Sequence, residues 1–256
     1  MFFFTCTSMA LAGAPSAVEL KTAWARHENE MHAHAAHRIT LSDDDFNHVA
    51  SGEIAKRRIH EDGPDRAMGL MWTPIDRNRV WVAVLDDIHD TVVSNLVERR
   101  LGRSEAGRKQ LYQRLSLPWP LTDRQWVIEI WNNTELAHAT TGGIWERPWD
   151  LAAPALMPEP DPEAIWVPMI NGSWFLLEVG GGTLVVYSAR TTIGGSIPSD
   201  LVTRWALSTL DEMLEHITER AAVIDAHYTP DHEPVLGGDN APVPFMSSDV
   251  QPSPLP

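Results

Sequence analysis

The chain has 256 residues, 43% of them hydrophobic and 21% charged, with a formal net charge of -15 at pH 7. That length allows one large domain or two small ones, and the acid excess repels nucleic acid and anionic membrane surfaces, so neither is expected as a standing partner. A single cysteine, Cys6, excludes a disulfide framework and a thiolate metal cluster. No stretch is long and apolar enough to span a bilayer as a helix.

Residues 1–15 open on Phe2, Phe3 and Phe4 and run through Met9 into the small-residue string Ala10 to Ala14. The pattern fits the apolar core and cleavage zone of an export signal, and it fits a frayed N-terminus as well. The first reading implies an exported or periplasmic protein, the second a cytoplasmic one. Residues 16–40 are helix-permissive but polar, with Val18, Trp24 and Met31 as the large apolar side chains. His27, His32, His34 and His37 cluster there. Imidazoles ligate metals, but no carboxylate or cysteine stands at a ligand spacing, so a solvated helix face is expected and neither metal nor cofactor is.

From residue 41 to 228 the chain reads as one domain. Ser42 as N-cap, with Asp45 three residues on, starts a short helix that Gly52 ends. Gly52 to Ile59 and Ala67 to Thr73 then read as antiparallel strands joined by a polar turn at Glu61 to Pro64. Val80 to Leu85 fits a strand or a helix, since periodicity cannot decide over so short a run. His89 to Leu101 is expected to be helical or helix-loop, with its charges on a solvated face. Leu111 to Leu117 and Trp126 to Trp131 alternate as strands around a rigid connection, and Trp126, Ile128 and Ile130 share one wholly apolar face.

After a proline-rich loop at 152–162, Ile165 to Met169 and Ser173 to Val179 read as a hairpin around Asn171 and Gly172. Gly180 to Gly182 join two strands rather than opening a helix, so they make a turn and not a phosphate loop. A Gly-rich turn then feeds a long amphipathic helix from about Pro198 to Tyr228. Val202, Trp205, Thr209, Met213, Ile217, Arg220 and Ile224 recur along it at three- and four-residue steps. The remainder, 229–256, is rich in proline and is expected to stay disordered outside the fold.

The connection Pro118 to Arg124 (PWPLTDR), the strand after it and the Gly194-Gly195-Ser196-Ile197-Pro198 entry to the long helix resemble the START lipid-transfer family of the helix-grip (SRPBCC) superfamily. The resemblance runs over roughly Leu41 to His227. It implies an α+β helix-grip fold, in which a curved antiparallel sheet wraps around a long C-terminal helix and leaves an internal apolar tunnel between them. Two departures stand out. Gln125 occupies the acidic place in the family's turn, and the inward face after it, Trp126, Ile128 and Ile130, carries no charge. Sterol is therefore disfavoured as the specific ligand, while an apolar ligand is not.

The leading expectation is a monomeric binding protein that sequesters or transfers a lipid or other hydrophobic small molecule, with transient membrane contact through an apolar rim. The lining is expected from Trp126, Ile128, Ile130, Met169, Trp174, Leu176 and Val186 on strands and from Val202, Trp205 and Met213 on the helix. A polyketide cyclase or aromatase of the same superfamily is the alternative. It would need polar groups inside the tunnel, for which Tyr187, Arg190 and Glu178 are the candidates. A scaffold with its pocket filled by tryptophan is the third reading. No hydrolase motif is present, so no catalytic residue is assigned.

Overall fold

The structure, a computed structural model, describes residues 13–86, 95–153, 159–195, 197, 199–228 and 232–244, so most of the expected export segment lies outside it. Helices start where a side chain can accept from the first free backbone N–H groups. α1 (Ala17–Ala25) and α3 (Asp43–Ala50) both open with complete capping boxes, Ser16 with Glu19 and Ser42 with Asp45, and α2 (Glu28–His34) lies between them. β1 (Ala55–Ile59) and β2 (Arg66–Thr73) form the expected antiparallel pair. The ambiguous run that follows is α4 (Arg77–Leu85). Asp76 caps it, and Val80, Trp81, Val82 and Ala83 are all buried, so no polar face marks its period.

The remaining elements are β3 (Leu96–Arg103), β4 (Lys109–Leu115), β5 (Arg124–Ile130), α5 (Thr134–Ala139), β6 (Ile144–Leu151), β7 (Ile165–Trp166), β8 (Met169–Val179), β9 (Gly182–Thr192) and α6 (Ser199–Val223). The strands make one sheet in the order β1-β2-β9-β8-β6-β5-β4-β3, antiparallel apart from the short β7, which pairs in parallel with β5. Two expectations are corrected here. The segment 96–101 is a strand and not a helix, because Leu96 to Arg103 pairs along β4 as an edge strand and leaves its charges exposed. Asn171 and Gly172 make no hairpin, because β8 runs unbroken through them. A Cβ on Gly172 would lie 2.3 Å from the Trp149 ring and from the Ser188 carbonyl, so the glycine admits a ring across the strand. The β8–β9 turn is the expected glycine turn, with Gly180 at φ 63 and Gly181 at φ 76.

Both faces of the sheet are covered at its β2-β9-β8 centre. On the outer face α1, α2 and α3 bury Leu20, Trp24, Met31 and Phe46 against Met68, Leu70, Phe175, Leu177, Leu184 and Val186. On the inner face α6 crosses β1, β2 and β9 and packs on α4. Its buried residues are Val202, Thr203, Leu210, Leu214, Ile217 and Ala221, with Ile224 just beyond; Val202, Ile217 and Ile224 belong to the expected stripe, while Leu210, Leu214 and Ala221 stand one position on from Thr209, Met213 and Arg220. Gly69 on β2 explains the change at Leu210 and Leu214. A Cβ there would meet Leu214 Cδ1 at 2.9 Å and Leu210 Cδ1 at 3.2 Å, so these leucines dock where the strand has no side chain.

The expected tail also differs in part. Residues 235–243 form a small antiparallel turn, with Leu236 bridged to Pro242, and Val243 is buried in the cluster around Trp81 and Trp145. Composition argued for disorder, but two tryptophans in the body supply the apolar surface that the tail itself lacks.

Candidate functional site

The inner face continues past α6 onto β6, β5 and β4. Leu111, Leu115, Trp126, Ile128, Trp149 and Val167 are buried there as one cluster, with Ile130, Leu151, Ile170, Trp174, Tyr187 and Ala189 packed on it and only partly covered. Trp174 and Tyr187 occupy directly opposed positions on the central strands β8 and β9. Their rings meet edge to face at 4.7 Å, and Tyr187 stacks on Trp149 at 5.5 Å. Tyr187 belongs to the surroundings of both the α4/α6 cluster and the β4/β5 cluster, so it marks the seam between the covered and uncovered halves of the inner face.

Tyr187 is the polar group of this aromatic triad with the clearest signature. It is half-buried, and burial pushes its hydroxyl pKa up to about 12. Among the described residues its hydroxyl makes no hydrogen bond. Trp126, by contrast, is fixed through its indole N–H, which donates to Gln113 Oε1 at 2.5 Å. Arg124 locks the end of the site. Its guanidinium donates to the carbonyls of Thr122, Ile193 at 2.6 Å and Gly194 at 3.2 Å, which ties the β4–β5 connection to the entry of α6. Asp123 beside it accepts from Leu117 N–H, Arg114 and Ser116, and these donors hold its pKa below the ordinary carboxylate value.

No family model matches the chain. An uncharacterized protein of Pseudomonas aeruginosa is 37% identical over 103 residues, 40% of this chain and 48% of that protein, so the chain spans about half the length of the curated relative it matches. Among solved structures, human StAR-related lipid transfer protein 5 aligns with a TM-score of 0.53 at 10% identity, over 80% of this chain and 98% of its own. Human STARD10 gives 0.51 at 12% identity over 75% and 84%. A STAR-related lipid transfer protein fragment from Xanthomonas axonopodis gives 0.50 at 19% identity over 66% and 92%. The chain has a START-like helix-grip fold.

Within that START-like fold the expected lining residues separate into three groups. Trp126, Ile128 and Ile130 lie together on the inner face with Trp174 and Leu176, as β-alternation required. Val186 is opposite Phe175 and sits under the N-terminal helices, and alternation along β8 puts Met169 on that same outer side. On α6, Val202 is buried and Met213 half-buried, whereas Trp205 is 44% exposed because the helix is rotated toward Leu210 and Leu214. The candidate catalytic set also fails to assemble. Tyr187 faces inward, Glu178 is exposed at the end of β8, and Arg190 is spent on the Glu61 carboxylate and the Pro64 carbonyl. Trp149, Leu111 and Leu115 were missed, although alternation through β6 and β4 carries them.

The four N-terminal histidines disperse. His34 bonds Glu135 at 2.8 Å, and His37 is inserted against the Trp149 carbonyl at 3.2 Å instead of lying on a solvated face. Two recesses formed by described residues, of about 400 and 340 Å³, are at α1 beside β8 and between α1, α2 and α3, so both are outside the inner face.

Proposed function

We propose that the protein binds a lipid or another hydrophobic small molecule on the inner face, between α6 and strands β4, β5, β6, β8 and β9. The observation that carries this reading is the triad Trp149, Trp174 and Tyr187. Trp149 is buried, while Trp174 and Tyr187 on the central strands β8 and β9 stay half-buried against it, and the Tyr187 hydroxyl has no hydrogen-bond partner among the described residues. Apolar walls with a sparse polar handle are the usual make-up of a ligand site, and burial of ligand surface would contribute about 25 cal/mol per Å². Transient contact with a neutral bilayer fits the same end of the molecule. Trp119 is 92% exposed and Leu121 42% in the connection that Arg124 ties to the start of α6, where Leu201 is 54% exposed. Trp and Leu at such a rim suit a lipid interface, and the -15 charge excludes attraction to an anionic one.

The test is mass spectrometry of extracts from the purified protein, followed by transfer of the recovered ligand from phosphatidylcholine vesicles. A stoichiometric apolar ligand is expected. Tyr187→Phe removes one neutral hydrogen bond and weakens retention about 2- to 10-fold with the fold intact. Trp119→Ala slows transfer without changing retention. Protein that is purified empty and takes up nothing from vesicles would mean that tryptophan fills the space and would end this reading.

A further inference from the structure

Trp81 on α4 and Trp145 on β6 meet edge to face at 5.3 Å, and the Arg77 guanidinium lies 4.0 Å from the Trp145 ring centre. The turn 235–243 is seated on this pair. The Trp81 indole N–H donates to the Leu236 carbonyl at 2.9 Å, and the Asn132 amide donates to the Gly237 carbonyl at 3.0 Å and to Asn240 Oδ1 at 3.1 Å. Gly237 and Gly238 lie flat against the indole: a Cβ on them would come within 2.6 and 2.4 Å of Trp145. Neither has a positive φ, so contact with the ring and not backbone conformation demands glycine here. The turn is held internally by Gly237 N–H to the Ala241 carbonyl at 2.8 Å and Val243 N–H to the Val235 carbonyl at 2.9 Å.

The occupant is peripheral to the architecture it covers. It adds no strand to the nine-stranded sheet, it buries Val243 while Leu236 stays 43% exposed, and the chain reaches it through Thr229-Pro230-Asp231. Beneath it Trp145 Nε1 is buried without a hydrogen-bond partner among the described residues, while the Arg77 guanidinium donates to the Gly142 carbonyl and its Nε lies 3.8 Å from the Glu178 carboxylate, so one indole donor is left unused by the present occupant. Charge matches across the contact. Burial disfavours the Arg77 charge, and Glu178 on β8 and then Asp239 of the turn favour it, so the turn adds the smaller share of the acid that Arg77 meets.

We infer that Trp81, Trp145, Arg77 and Asn132 form a docking surface for an acidic glycine-proline turn, and that residues 235–243 occupy it reversibly. The surface recognises flatness and carbonyl direction: two glycines on an indole, carbonyls presented to two N–H donors, and an aliphatic anchor at the position of Val243. Another chain that presents the same turn would compete with the resident one.

The experiment displaces the turn in the full-length protein with Gly238→Val, whose side chain cannot occupy the space against Trp145. The variant is expected to keep its far-UV circular dichroism and one cooperative unfolding transition, while tryptophan emission shifts to the red. A synthetic peptide of residues 232–245 should then bind it saturably and reverse the shift, but should not bind the unaltered protein to the same extent. Trp81→Phe in the displaced background should weaken that peptide about 2- to 10-fold, since it removes one neutral donor and keeps the ring. A Gly238→Val protein that loses its cooperative transition would make the turn part of the core and overturn the proposal. So would a folded variant whose emission is unchanged, or one that never rebinds the peptide. The cooperative transition and peptide binding do not report on a ligand at the inner face, and emission is compared on protein stripped of ligand, because Trp149 and Trp174 lie at that site.

Discussion

Gly172 shows how much one absent side chain can decide. Asn-Gly between two apolar runs is a strong local signal for a hairpin, and here it lies inside an eleven-residue strand. The reason is not local. Trp149, on the neighbouring strand, lays its ring over the position, and the Ser188 carbonyl closes it from the other side. Gly172→Ala should destabilise the protein by about 1–3 kcal/mol or more, because backbone and ring must both shift to admit the methyl group. Urea unfolding gives the figure, and an unchanged midpoint would show that the strand can give way. Val186 fails for a related reason. Its apolar character suited either face, and only the pairing of Phe175 with Val186 and of Trp174 with Tyr187 tells which residues look inward. At this scale Trp126, Ile128 and Ile130 were legible because alternation within one strand suffices. Tyr187 was a candidate from the sequence only as a polar group for the cyclase alternative, and its place beside Trp149 and Trp174 emerges only once three strands are in register.

Elements were legible where their signals are carried within a turn or two of chain. The capping box at Ser42 and Asp45 set the start of α3, and a 25-residue α6 follows from an uninterrupted apolar period. β3 was not legible, since an edge strand with charges on both faces has no period to read. Around Leu210 and Leu214 the face of α6 was displaced by one residue, although Val202, Ile217 and Ile224 lie where expected, because Gly69 chooses which side of the helix can come close there, and a helix cannot reveal that about its partner. Asp200 fixes the start of α6 more firmly than its helix-dipole position alone implies. Arg204, by hydrogen bond, and then Arg58 on β1 hold its pKa at about 2, below the ordinary 3.8. A carboxyl group with a lower pKa in the folded state contributes stability above its unfolded value and loses it as pH falls through the folded one. Between about pH 4 and pH 2 the wild type should therefore lose stability that Asp200→Asn does not have to lose, so their unfolding midpoints converge on acidification. Midpoints that stay equally far apart from pH 5 to pH 2 would contradict the assignment.

Across the whole molecule the sheet is a partition, with a sparsely polar inner side and an outer side closed by the N-terminal helices. One buried carboxylate joins the outer layer to the partition. Glu146 on β6 is fully buried and accepts from Ala36 N–H at 3.0 Å, His37 N–H at 3.3 Å, Asn133 Nδ2 at 2.6 Å and Ser173 Oγ at 2.6 Å. Burial pushes its pKa up while those four donors pull it down, and burial prevails. The four donors come from the segment after α2, the start of α5 and strand β8, so a single side chain holds three elements in place. Glu146→Gln is close to isosteric, but its amide nitrogen must turn toward at least one N–H group that now finds an acceptor. One buried donor is left unsatisfied, at a cost of about 1–3 kcal/mol. The consequence should be regional. Amide exchange should accelerate in α1, α2 and the 35–37 segment, while β8 and β9 stay protected and ligand retention on the inner face changes little. Uniform acceleration through the central strands would instead make the outer layer inseparable from the sheet, and the partition would then be one cooperative body whose two sides cannot be tuned apart.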